Sequence, residues 1–232
     1  MKCLLKSKNF WQEYIPLSLT FILQVVGAII FKQSFIRTFP ICFSLVIALV
    51  NSRANRYGFL LGASNCVIYA IVFFSSRLYG SFGQTLASLI LQLVAFFMWN
   101  KKSYKQATVF RKLKTLWSFL LHVATIVAWL VAFYVMSKTD ANMAILDSFV
   151  LIAGTACAIT DIFAIVDTIV LRVLSVLCQL AMWLIIVAKG SIFDITYVIF
   201  YLYSVYMTIR LCVKWVLLYK EQKALREQKQ YL

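Results

Sequence analysis

The stretch "RLYGSFGQTLASLILQLVAFFMWNKK", residues 77–102, carries no charge between Arg77 and Lys101. At about 1.5 Å per residue, a helix of that length crosses the ~30 Å hydrocarbon core of a bilayer. Gln84, Ser88 and Gln92 recur every four residues within it, which puts them on one helix face. A helix surrounded by lipid has no use for amides, so a polar stripe inside a span is expected to face a bundle interior or a cavity. The stretch therefore predicts a membrane helix with other helices beside it.

The rest of the chain supplies those helices. Of 232 residues, 63% are hydrophobic and only 13% charged, with a mean hydropathy of +0.87. One soluble core of this length cannot hide so much apolar surface. Long neutral runs alternate with basic clusters, as in a polytopic helical membrane protein. Candidate spans lie near 14–31, 38–51, 57–75, 78–99, 115–136, 143–165, 170–188 and 192–213. The second is short and holds Pro40, and Asp161, Asp167 and Arg172 blur the sixth-to-seventh boundary. The count is eight, with seven as the alternative. Glu13 precedes the first apolar run, no small-residue cleavage site follows promptly, and that run is read as a retained helix.

A net charge of +15 could signal nucleic acid. The Lys and Arg residues lie between apolar runs instead of along one soluble face, so nucleic acid is excluded as a partner. They read as topology signals. With eight spans and the N-terminus inside, 18 of the 23 basic residues fall on the inner side and 5 on the outer. That split places both termini in the cytoplasm. The tail "WVLLYKEQKALREQKQYL" reads as a helix leaving the membrane, resting on anionic headgroups or simply solvated.

An internal repeat is visible at a shift of 114 residues. "NCVIYAIVFFSSRLYG" (65–80) aligns with "QLAMWLIIVAKGSIFD" (179–194): Asn65 meets Gln179, Tyr69 meets Trp183, and Leu78-Tyr79 meets Ile192-Phe193. The predicted fold class is an all-α polytopic membrane protein of seven to eight transmembrane helices, with two parallel three-helix repeats joined by a linker helix. It is one membrane domain over 1–232. An N-terminal helix spans 1–35, the first repeat 36–100, a basic loop and linker helix 101–140, the second repeat 141–213, and a basic tail 214–232. Transporters with parallel repeats bind near the midplane between the halves.

The polar residues of the spans define the candidate site. In the third span Gly58, Gly62, Asn65 and Tyr69 share a face, and the glycines permit close helix approach. Ser175, Gln179 and Trp183 form a row in the seventh span, and Tyr197, Tyr201, Ser204 and Thr208 one in the eighth. Amides, hydroxyls and rings suit a neutral, hydrogen-bonding, ring-containing solute. The substrate-binding set is Asn65, Tyr69, Gln84, Ser88, Gln179, Trp183, Tyr197 and Tyr201. Hydrogen bonding between helices with no ligand is the alternative for each of them.

No metal or other cofactor is expected. The six cysteines are scattered at no metal-ligand spacing and read as small buried hydrophobes. His122 stands alone, and no phosphate loop, HExxH or nucleophile elbow occurs, so an enzyme is not expected. Asp161 reads as a structural partner of Arg172 or the headgroup region, with proton or sodium coupling as the alternative.

These residues also carry a resemblance. Asn65, Tyr69, Arg77, Leu78, Tyr79, Gly80, Gln84, Gln92 and Trp99 resemble the most recognisable region of the PnuC-type vitamin transporters, whose founding members carry nicotinamide riboside. Lys189, Gly190, Phe193, Thr196 and Tyr201 resemble the corresponding region of the second half. The resemblance implies a SWEET-like parallel repeat and facilitated diffusion across the cytoplasmic (inner) membrane of the cell, with phosphorylation trapping the vitamin inside. Two departures stand out. Arg172, Ser175 and Gln179 occupy a stretch where the founding type has tryptophans before an Asn, and Ser81 replaces a common acidic residue. The solute is therefore open among nicotinamide riboside, which comes first, thiamine, riboflavin and deoxynucleosides. The oligomeric state is open too, a homo-oligomer included. The alternative from another class is a non-transporting membrane partner that docks through Lys101–Lys114 and the tail.

Overall fold

The computed structural model describes residues 2–52, 55–100, 103–104, 107–108, 110–191 and 194–230. The expectations that fall on Arg53, Lys101, Lys102, Lys105, Ile192 and Phe193 lie outside the described residues, as do those on the side chains of Lys2, Lys6, Lys8 and Lys229.

Among the described residues, eight helices follow in chain order: α1 (Lys2–Ile30), α2 (Phe35–Ser52), α3 (Tyr57–Ser75), α4 (Tyr79–Asn100), α5 (Thr115–Met136), α6 (Ala144–Ile162), α7 (Ile169–Ala188) and α8 (Ile195–Gln230). Between α4 and α5, Ser103–Tyr104 (β1) pairs antiparallel with Ala107–Thr108 (β2). Among the described residues, six helices, α3 to α8, are long and apolar enough to cross a membrane. The apolar parts of α1 and α2, Tyr14–Ile30 and Phe35–Asn51, are shorter. On α4, Leu86, Ile90, Leu93 and Phe97 are exposed on the face away from the glutamines. Such a face is not stable against water, and with these apolar spans the chain is a multi-pass membrane protein.

The helices pack as two three-helix units. In the first, α2 packs on α3 and α3 on α4; in the second, α6 packs on α7 and α7 on α8. The units meet twice: α4 of the first lies on α6 of the second, and α8 of the second lies on α2 of the first. Third helix against first helix, in both directions, is the contact pattern that exchange of two equivalent units produces. Helix α5 packs on α6 at the periphery, and α1 packs on α2 and α8. Gln24 of α1, fully buried, donates from Nε2 to the Thr196 carbonyl at 2.6 Å.

The quoted stretch begins in a tight turn. Arg77 takes a left-handed φ of 55°, and the Leu78 amide donates back to the Phe73 carbonyl at 3.0 Å. Leu78 is fully buried. The first turn of α4 then meets Asp147 of α6. This carboxylate, fully buried, accepts from the Gly80 amide (2.7 Å), the Ser81 amide (2.8 Å) and the Ser81 hydroxyl (2.5 Å). A helix start has free amides and a partial positive charge, so a carboxylate there is doubly favoured. Gly80 makes the approach possible, because a Cβ there would lie 2.4 Å from the Asp147 carbonyl oxygen.

Several boundaries differ from the hydropathy reading, and α1 already begins at Lys2, well before 14. Helix α6 stops at Ile162, short of 165, and Ala164 turns the chain with a φ of 54°. Past the apolar span that ends near 213, α8 continues unbroken to Gln230, in keeping with the tail read as a helix leaving the membrane. It contains neither Gly nor Pro, and its polar end is rich in Lys, Glu, Gln, Ala and Arg, which favour helix.

Candidate functional site

Between the two units lies a cavity of about 330 Å³, reached by α2, α3, α4, α7 and α8. It continues into a second lobe of about 230 Å³ that extends along α6. Asn51, Gln84, Ser88, Gln92, Arg172 and Gln179 line both lobes. The whole polar stripe of α4 therefore faces this space. Gln84 Nε2 donates to Ser88 Oγ at 2.8 Å, the i,i+4 contact that the spacing permits. Gln92 reaches across to α3, with Nε2 3.7 Å from Cys66 Sγ.

Glycines on neighbouring helices seat these amides. A Cβ at Gly62 would lie 2.0 Å from Gln92 Oε1, and one at Gly154 would lie 2.8 Å from Gln84 Cγ. On the α2–α3 side, Asn65 Nδ2 donates to the Pro40 carbonyl (2.9 Å) and to Ser44 Oγ (2.7 Å). Ser44 in turn donates to Tyr69 Oη at 3.1 Å. Asn65 is 3% exposed, yet its Oδ1 has no partner among the described residues. A buried acceptor is normally paired; this oxygen is itself shielded, within a residue of the cavity wall.

The ionic groups of the site lie at one end. Arg172 forms a two-pronged pair with Asp161, Nη1 to Oδ2 at 3.1 Å and Nη2 to Oδ1. The guanidinium also sits 5.1 Å from the centre of the Trp215 ring. Trp99 Nε1 donates to the Asp161 carbonyl at 2.6 Å. The pair expected between Asp161 and Arg172 is thus formed, and both carboxylate oxygens are engaged. At the other end, Arg37 pairs with Asp194 at 3.2 Å. Burial pushes the Asp194 carboxyl up from its ordinary pKa, and Arg37 draws it back.

Six of the eight expected site residues line the cavity: Asn65, Tyr69, Gln84, Ser88, Gln179 and Tyr201. Trp183 and Tyr197 do not. Their rings stack on each other, 4.0 Å between centroids and 10° between planes, inside the apolar core. The helical period puts Trp183 in line with Gln179, but one turn farther along the helix the space is filled by Tyr197. Ser175 reaches the second lobe, and Ser204 and Thr208 the first. Sequence reasoning passed over Ser44, Asn51 and Thr85, which also line the first lobe. The signal for Ser44 and Asn51 was their seven-residue spacing in a short span interrupted by Pro40.

A family profile described as Nicotinamide mononucleotide transporter matches residues 34–216. The chain belongs to the nicotinamide mononucleotide transporter family. The match covers both three-helix units and leaves out all of α1 and the end of α8. Among solved structures, the chain is similar to one titled "Crystal structure of the Vitamin B3 transporter PnuC". The TM-score is 0.78 at 16% identity, over 90% of this chain and 92% of that one. This likeness shows that the fold is shared. No curated protein sequence matches significantly. Membership in the nicotinamide mononucleotide transporter family gives the amide-lined cavity a context of transport.

Proposed function

We propose that this protein carries a ring-bearing, nucleoside-like vitamin across the cytoplasmic membrane by facilitated diffusion, with nicotinamide riboside as the first candidate. The amides of Asn65, Gln84, Gln92 and Gln179 and the hydroxyl of Ser88, gathered around one cavity, carry this reading. Amide and hydroxyl groups match sugar hydroxyls and a carboxamide. The rings of Tyr69, Phe73, Phe200 and Tyr201 at the wall suit a flat ring, including a cationic one. The volume falls within the ~300–1,000 Å³ usual for small-molecule sites.

The electrostatics favour a nucleoside over a mononucleotide. Among the described residues, Arg172 is the one cationic side chain lining either lobe, and Asp161 already holds it. A phosphate would enter with no free counter-charge, which a low-dielectric site penalises. Phosphorylation in the cytosol would then trap the solute. The charge asymmetry of the sequence supports both termini in the cytoplasm.

The test uses purified protein. Thermal stabilisation by nicotinamide riboside, its mononucleotide, thiamine, riboflavin and deoxynucleosides names the ligand, because a ligand stabilises the state it binds. Nicotinamide riboside should stabilise and the mononucleotide should not. In proteoliposomes, Gln84→Ala and Gln179→Ala should each lower uptake roughly fivefold, the worth of about one hydrogen bond, with unchanged melting in the absence of solute. Wild-type uptake in both variants would remove these amides from the site. No flux of any of these solutes through the wild-type protein would favour the membrane-docking alternative.

A further inference from the structure

Given the nucleoside-like solute proposed above, on which this rests, we infer that Arg172 holds the hydroxyl end of that solute. Asp161, by pairing with Arg172, makes that end accept a hydroxyl and refuse a phosphate. Arg172 opens onto both lobes of the cavity and onto a third of about 30 Å³ beyond them. Among the described residues, no other cationic side chain lines any of the three.

The two large lobes differ in chemistry, and the difference orients the solute. The first carries the rings of Tyr69, Phe73, Phe200 and Tyr201. Of the described residues lining the second, Phe59 is the one with a ring, while Gln84, Ser88, Gln92, Ser175 and Gln179 supply amides and hydroxyls. A flat ring gains most in the first lobe and a sugar in the second. A cationic ring has a further reason to choose the first, since it is drawn to aromatic faces and repelled by the guanidinium. The sugar then points toward Arg172 and Asp161.

The guanidinium is placed to meet it. Two of its N–H groups serve the Asp161 carboxylate, and its face lies 5.1 Å from the centre of the Trp215 ring. Its remaining N–H groups have no partner among the described residues. The side chains of Arg172 and Asp161 keep 18% and 13% of their surface open, and the cavity lies against both. A sugar hydroxyl accepts from a free guanidinium N–H without disturbing the pair. Trp99 Nε1 holds the Asp161 carbonyl at 2.6 Å, which fixes the carboxylate end of the pair.

A phosphate in place of that hydroxyl meets a different field. Asp161 lines the second and third lobes beside Arg172, so the pair is neutral as a whole. The phosphate would lose its water, find no net positive charge, and face a carboxylate of its own sign. Asp161 is therefore the residue that sets the charge of the solute, although the cation is Arg172.

The test uses purified full-length protein in detergent, titrated with nicotinamide riboside, nicotinamide mononucleotide and inorganic phosphate, with binding read from thermal shifts. Asp161→Asn keeps an oxygen for one guanidinium N–H and removes the negative charge. It should bind the mononucleotide at least about tenfold more tightly than wild type, as a charge-assisted bond to phosphate allows. It should also be stabilised by phosphate, as wild type is not. The neutral double variant Asp161→Asn/Arg172→Gln should lose both gains. It should bind the riboside about fivefold more weakly than wild type, the worth of about one hydrogen bond. Melts without ligand confirm folding; if Asp161→Asn is not folded, the riboside affinity of the double variant decides. No gain for mononucleotide and phosphate in folded Asp161→Asn would overturn the inference. So would a gain that survives in the double variant, or riboside affinity there within about twofold of wild type. A phosphate shift in Asp161→Asn with no riboside binding by wild type would remove the nucleoside reading and leave the masked cation standing.

Discussion

At Gly62 and Gly80 the missing side chain does two different jobs. A Cβ at Gly62 would meet the Gln92 amide, the far end of a flexible side chain. A Cβ at Gly80 would meet backbone, the Asp147 carbonyl oxygen at 2.4 Å and its carbon at 2.8 Å. Gly62→Ala is therefore expected to fold, melting within about 2–4 °C of wild type. It should lose the ligand-induced thermal shift, because Gln92 is pushed off the wall. Gly80→Ala should lose about 1–3 kcal/mol of stability, since α4 and α6 must separate. Thermal melts of the two, with and without solute, separate these roles. The stripe Gln84–Ser88–Gln92 was legible because helical spacing and the cost of burying amides both point inward. Trp183 was not, because an aromatic ring on the inward face fits a cavity wall and a packed core equally well. Only the position of Tyr197 decides between them.

On the scale of elements, α4 depends on a residue of another helix. Asp147 accepts three hydrogen bonds at its start. Asp147→Ala should cost about 1–3 kcal/mol for each donor left unpaired, with Asp147→Asn intermediate because one oxygen remains. Melting temperature and expression level measure this, and equal stability of both variants with wild type would remove the cap. Nothing in the sequence marks the partners of Asp147, which lie 66 and 67 residues away. Helix α8 shows the converse limit. Hydropathy marked where its apolar part ends, near 213. The backbone continues because nothing in the following residues breaks a helix, which is why the tail reads as a helix although hydropathy alone stops there.

For the whole molecule, the question is whether transport draws on an ion gradient. The buried Asp161 could bind a proton or sodium only by leaving Arg172, which engages both of its oxygens. We expect purely equilibrating flux. In proteoliposomes, imposing or collapsing a proton or sodium gradient should leave the initial uptake rate unchanged. Accumulation above equilibrium in the absence of a kinase would restore the coupling role. Asp161→Ala should destabilise by about 3–5 kcal/mol, because it strands a buried guanidinium. Replacing Asp161 and Arg172 together by apolar residues should recover much of that loss. The sequence by itself determined the membrane class, the order of the spans, the two three-helix units and the inward polar rows. Each follows from local period, charge spacing and the price of polar groups in lipid, which act along one helix at a time. The tertiary structure alone decided which rows share a cavity, that Trp183 and Tyr197 pack against each other, and that Phe110 is buried against the end of α8. Those outcomes depend on contacts between residues far apart in the chain, and their spacing along it carries no record of them.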